Sequence, residues 1–162
     1  MKQNTTYKQT ELGLIPDDWE VKKLGECSSI SGDYGINAPA VKFSEDLPTY
    51  LRITDIDESS RTFIPNPLTS PSGDIEEKYK LVAGDLVFAR TGASTGKSYL
   101  YNEKDGNLIY AGFLIKFHID KANPYFVYTN TFKEQYYKWV QIMSMRSGQP
   151  GINAEEYKLL PL

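Results

Sequence analysis

The hydrophobic period changes once along this chain, and that change limits the architectures open to it. Up to about residue 119 the apolar residues come in short runs broken by Gly, Pro, Ser and Asn. Beyond Asn123 they recur every three or four positions, at Tyr125, Tyr128, Phe132, Tyr136, Trp139 or Val140, and Met143. Strands therefore come first and a helical tail follows. Regular strand–helix alternation is missing from the pattern, so the expected class is α+β with a mainly antiparallel sheet. Asn123-Pro124 supplies an N-cap and a proline at the first helical position. The pattern after it predicts one amphipathic helix of about five turns, stopped by Ser147-Gly148-Gln149-Pro150-Gly151. Asn153 with Glu156 three residues on resembles a capping pair for one further short turn.

The strand region reads in finer detail. Residues 1–10 are expected to be a disordered lead-in. Ile15 to Val21 then starts ordered structure as a half-buried strand, with Trp19 and Val21 on one face. Ser31 to Gly35 has turn chemistry. Thr49 to Ile56 alternates as a strand, Tyr50 being out of phase. Residues 59–73 form a polar surface loop. Val82 to Asp85 turns into the apolar run Leu86 to Ala89, and a Gly/Ser/Thr loop, Thr91 to Lys97, follows. Ser98 to Tyr101 and Leu108 to Phe117 are two more strands, with Asp105-Gly106 marking a hairpin between them.

The 162 residues suit one domain, long enough to bury a core without covalent staples. There is no apolar run of membrane-spanning length, and Met1 to Thr10 shows no secretory signal. One cysteine, Cys27, can form neither an internal disulfide nor a structural zinc site. These features fit a reducing, cytoplasmic location, with Cys27 a small buried hydrophobe. The net charge of −3 argues against a general nucleic-acid binder. Its distribution is uneven, however. Residues 1–80 hold nine Lys/Arg against fourteen Asp/Glu, and residues 81–162 hold nine against seven. A duplex, if bound, should meet mainly the second half.

Several candidate sites compete. Gly92-Ala93-Ser94-Thr95-Gly96-Lys97-Ser98 looks like a phosphate-cradling loop, but its glycines are separated by three residues where the Walker pattern needs four. Ser98 to Tyr101 also reads as strand, whereas such a loop must feed a helix N-terminus. His118, the only histidine, has no Cys or His partner for a metal or a catalytic triad and reads as structural. The acidic runs Asp55 to Glu58 and Asp74 to Glu77 lack calcium-loop spacing and read as solvated strand ends. No catalytic residue, metal or cofactor is expected. Tyr34, Tyr99 and Tyr101 lie beside polar loops, where tyrosine either contacts a phosphate or half-buries in a strand. The loop Arg90 to Lys97 sets two cations around small hydroxyl side chains. It is either a tight connection or a surface that approaches a duplex, with Arg forking onto guanine and Ser or Thr serving base edges or phosphate.

Four motifs then occur in one order. They are Ile15-Pro16-Asp17-Asp18-Trp19 through Leu24-Gly25, Tyr50-Leu51-Arg52-Ile53-Thr54-Asp55-Ile56, Gly84-Asp85 through Arg90-Thr91-Gly92 with Gly96-Lys97, and the set Ser147-Gly148-Gln149, Gly151-Ile152-Asn153 and Leu160-Pro161-Leu162. Together they resemble target recognition domains of Type I restriction–modification specificity subunits. The resemblance covers residues 15–162. It implies an irregular, double β-helix-like part followed by a C-terminal helical hairpin. It also implies a non-catalytic role. A whole specificity subunit of this family usually carries two such domains separated by long helices, each reading half of a bipartite DNA site. Two methyltransferase subunits use S-adenosylmethionine to methylate adenine, and a restriction subunit cuts unmethylated DNA.

On this reading residues 11–162 are a single target recognition domain, ending where a spacer helix would begin. It would be an excised domain or a half subunit that pairs with a second half. The expected partners are double-stranded DNA, methyltransferase subunits, and the restriction subunit through the complex, with no membrane. The expected DNA-binding residues are Arg90, Thr91, Ser94, Thr95 and Lys97, with Tyr34, Asn37 and Lys42 from the early loops. Arg52 and Arg146 are expected as structural ion-pair partners. Two other classes stay open: a small nucleotide-binding enzyme built on Gly92 to Ser98, and a β-rich domain that binds protein or carbohydrate.

Overall fold

The computed structural model describes residues 5–145 and 150–162. Ten short strands precede three helices. The strands are β1 (Tyr7–Thr10), β2 (Gly13–Pro16), β3 (Ser28–Tyr34), β4 (Ala40–Lys42), β5 (Thr49–Leu51), β6 (Thr69–Pro71), β7 (Asp85–Ala89), β8 (Ser98–Leu100), β9 (Leu108–Tyr110) and β10 (Leu114–Ile119). The helices are α1 (Pro124–Asn130), α2 (Glu134–Ser144) and α3 (Ala154–Tyr157). The expected order of strands first and helices last is what the chain adopts. Its main sheet has the order β3-β10-β7-β8, antiparallel throughout. Three two-stranded ribbons surround it: β1-β2 and β4-β6, both antiparallel, and β5-β9, which is parallel.

β7 explains the layering. All five of its residues are buried, as a strand covered on both faces requires. Leu86 and Phe88 point into a core completed by Ile115, Phe117, Val127, Tyr136 and Tyr157, so the helices cover that face. Val87 and Ala89 point into a second core with Leu51, Tyr99, Leu108 and Tyr110, so the β5-β9 ribbon covers the other. On β10 the polar residue Lys116 is buried and donates from Nζ to the Lys78 carbonyl at 2.9 Å.

Several local expectations are corrected, each for a physical reason. The chain is strand from Tyr7, paired with β2, where a lead-in was expected over 1–10. Asp17 to Val21 is not a strand, and Trp19 is half exposed, edge-on to Phe126 of α1 at 5.8 Å. Ser31 to Tyr34 belongs to β3. Its turn-like composition is used for bulges: Ser29 and Gly32 are the extra residues where the register with β10 shifts, and Gly32 sits at φ +88°. The strand expected over 49–56 ends at Leu51 and gives way to a tight turn at Ile53–Asp55, with Tyr50 buried. Asp105-Gly106 closes no hairpin. β8 pairs with β7, while β9 leaves to pair in parallel with β5, which buries Leu108 and Tyr110 in the second core. The single strand expected over 108–117 is divided by the turn at Ala111–Phe113.

The single five-turn helix is two helices. The buried guanidinium of Arg61 donates to the Thr131 carbonyl at 2.7 Å, and the Thr131 hydroxyl donates to Tyr128 O at 2.6 Å. A continuous helix needs that Thr131 carbonyl for the amide four residues on. Lys133 is instead extended, at ψ 152°, and α2 starts afresh. The two helix starts at Asn123 and Asn153 form as expected, their side chains accepting from Phe126 N and Glu156 N. Ser147, Gly148 and Gln149 of the expected helix stop, and Arg146, lie outside the described residues.

Candidate nucleic-acid interface

β7 ends at Ala89, opposite Leu114 of β10, and one step further Arg90 N donates to Phe113 O at 3.1 Å. Arg90 is thus the first residue past the sheet and faces the turn Ala111–Phe113 across the gap. Its Nε donates to the Gly112 carbonyl at 3.1 Å. Its guanidinium carbon lies 5.0 Å from the centre of the Tyr34 ring and 5.7 Å from that of Phe113. Two flanking rings of this kind hold a cation by about 0.5–2 kcal/mol each and restrict its rotamers. Among the described residues, no hydrogen bond or ion pair engages its terminal nitrogens. The result is a planar fork with its root fixed and its tip open, the form that suits bidentate acceptors.

The frame around Arg90 is backbone. Ile152 N donates to Arg90 O at 2.9 Å, Thr91 bridges to Gly151, and Gly92 N donates to Pro150 O at 3.2 Å. The 150–152 segment is therefore a flank of the site. Tyr34, at the end of β3, is part exposed, and its hydroxyl accepts from Ala154 N at 3.1 Å. Asn37 is exposed, and its side-chain oxygen lies against Gly112, where a Cβ would come within 2.1 Å of it. A side chain there would have to displace Asn37. The structure thus gathers Tyr34, Asn37 and Arg90 around one turn, with Thr91 next along the chain against Gly151.

The other expected residues lie elsewhere. Thr95 folds back on its own loop, its hydroxyl donating to Gly92 O at 2.7 Å. Ser94 approaches Glu58 at 3.5 Å. Lys97 points inward: it is 7% exposed and donates to the Ile53 and Ile56 carbonyls at 3.1 and 2.8 Å, with Glu58 at 2.8 Å. Its ammonium ties the 53–58 turn to the loop. Lys42 is exposed on the separate β4-β6 ribbon. Phe113 was missed by the sequence reading, although it is 58% exposed. The available signal was Gly112, since glycine inside a strand pattern marks a bend or close approach.

The competing sites are weakened by the same geometry. The Gly92–Ser98 loop leads into the strand β8 and not into a helix of its own, unlike a phosphate-cradling loop. Tyr136 fills the space behind it, donating from its buried hydroxyl to Gly96 O at 2.5 Å, and burial pushes that phenol well above its ordinary range. His118 Nδ1 meets the buried Asp85 carboxylate at 2.8 Å, within the fold. Arg52 pairs with buried Asp55 at 2.9 Å as expected. Burial also raises the Cys27 thiol. Among the described residues, no group of three or more His, Cys, Asp or Glu is placed to hold a metal ion. None of their helices is long and apolar enough to cross a membrane.

Comparison with known proteins gives a consistent kinship. No family model matches the chain. It is 29% identical over 129 residues to the putative type I restriction enzyme MjaX specificity subunit of Methanocaldococcus jannaschii, a match that spans 75% of this chain and 29% of that protein. The crystal structure of the HsdS subunit from Thermoanaerobacter tengcongensis superposes with a TM-score of 0.63 at 14% identity, over 91% of this chain and 38% of that one. A chain from a structure concerned with complex assembly and conformational transition of the type I R-M system gives 0.62 at 13% identity, with the same coverage. The chain thus spans less than two fifths of each. It is similar in sequence to one stretch of a putative type I restriction enzyme specificity subunit and is folded like part of HsdS.

Proposed function

We propose that this chain is a sequence-reading module of a Type I restriction–modification complex, recognising one half of a bipartite DNA target and catalysing nothing itself. The observation that carries this reading is the Arg90 fork, rooted on Gly112 O between two rings at an open end of the sheet. A guanidinium held in this way matches the O6/N7 edge of guanine in the major groove. Sequence is read by side chains that reach base edges in a groove, and Arg90 stands beyond the end of its strand. The kinship with a specificity subunit supports the same role.

On this reading residues 11–162 form one target recognition domain. Its short paired strands are the double β-helix-like part, and α1 with α2 are the arms of the helical hairpin. Methyltransferase subunits, a restriction subunit reached through them, and a second specificity half are the partners, in the cytoplasm. Their surfaces supply the phosphate neutralisation that a chain of net charge −3 lacks. Tyr34, Asn37 and Thr91 support Arg90 at the base edges, and Ser94, Thr95 and Lys42 lie toward the backbone.

Arg90→Ala tests the assignment. It should cost about 1–3 kcal/mol in duplex binding and relax one base position, and Arg90→Lys should not restore it. A loss equal on all sequences would refute the base contact.

A further inference from the structure

Phe113 has more than half of its surface in water, yet the turn it sits on is held by backbone hydrogen bonds. Leu114 N donates to Ala111 O at 2.9 Å, Gly112 N to Ile36 O at 2.8 Å, and Arg90 N to Phe113 O. The ring is displayed by backbone bonds rather than by packing, and an exposed Phe adds little to the stability of the fold that displays it. It lies beside the Arg90 fork, whose tip is open among the described residues. Tyr34, on the other side of Arg90, has its hydroxyl engaged by Ala154 N, and Asn37 rests against Gly112.

The spacing suggests what the ring meets. The Arg90 guanidinium carbon lies 5.7 Å from the centre of the Phe113 ring, more than the rise of about 3.4 Å between successive base pairs. A fork on one base pair therefore sets its neighbour over the next. The apolar group that the major groove offers is the C5-methyl of thymine. Resting on the DNA-reading role proposed above, we infer that Phe113 is a second specificity-determining residue and that Arg90 and Phe113 together read a guanine with an adjoining thymine.

The test incubates the full 162-residue chain, assembled with the methyltransferase subunits of a Type I system, with a pool of randomised duplexes, and compares wild type with Arg90→Ala and Phe113→Ala. Phe113→Ala should leave the thermal melt unchanged. Wild type should enrich a motif containing guanine next to thymine, and Phe113→Ala should keep the guanine while the thymine position drifts. Replacing that thymine by deoxyuridine removes only the methyl group. It should weaken wild type by roughly fourfold, the worth of one buried methyl, and leave Phe113→Ala unaffected. An unchanged motif for Phe113→Ala, or an equal deoxyuridine effect on both proteins, overturns the inference while the role of Arg90 stands. Uniform weakening across all sequences, as from a wedge between base steps, overturns it too. If wild type enriches nothing, the DNA-reading role itself falls and the inference with it.

Discussion

Replacing Lys97 by Met separates a structural cation from a DNA-binding one. Lys97 is 7% exposed, and its ammonium donates to two carbonyls, Ile53 O and Ile56 O. A hydrogen bond from a charged donor contributes about 1.5–3 kcal/mol. Glu58, whose side chain is 76% exposed, adds less than about 1 kcal/mol. Methionine keeps most of the stem's packing and removes the desolvation cost of a buried charge, which offsets part of the loss. The net destabilisation is about 2–4 kcal/mol, and it should lower the melting temperature by roughly 5–15 °C. Urea unfolding followed by circular dichroism measures it, with the slope m unchanged. The second readout is the salt dependence of duplex binding at a temperature where the variant is folded. A lysine that neutralises no phosphate leaves the slope as it was, whereas loss of a phosphate contact lowers it by about 1. Full stability with a lowered slope would refute the assignment of Lys97 to the fold.

Tyr136→Phe removes the donor to Gly96 O behind the same loop. It should cost about 1–2 kcal/mol in a urea titration without changing which bases are selected. The Cys27 thiol, buried and raised by that burial, should react with iodoacetamide at pH 8 far more slowly in the native chain than in urea; equal rates would contradict its burial.

The change of hydrophobic period made the α+β class legible, since strand and helix periods differ along the whole chain. The caps at Asn123 and Asn153 were also legible, because an N-cap acts through atoms within three residues. What escaped depends on partners far along the chain. Arg61 breaks the tail helix from 70 residues away by taking the Thr131 carbonyl, and no local pattern encodes that. Gly32 has turn chemistry but serves a bulge, because β10 lies beside it. At the site, Arg90 was marked by its loop, but its fixation by Gly112 and the rings of Tyr34 and Phe113 comes from three separate segments. Lys97 looked free in a polar loop, and only the fold reveals the carbonyls that claim it.

The most direct test of the central claim is a map of adenine methylation in cells carrying a complete Type I system, with and without this domain exchanged for another. One half of the methylated bipartite motif should change with the domain while the other half stays. An identical motif after the exchange would contradict the account.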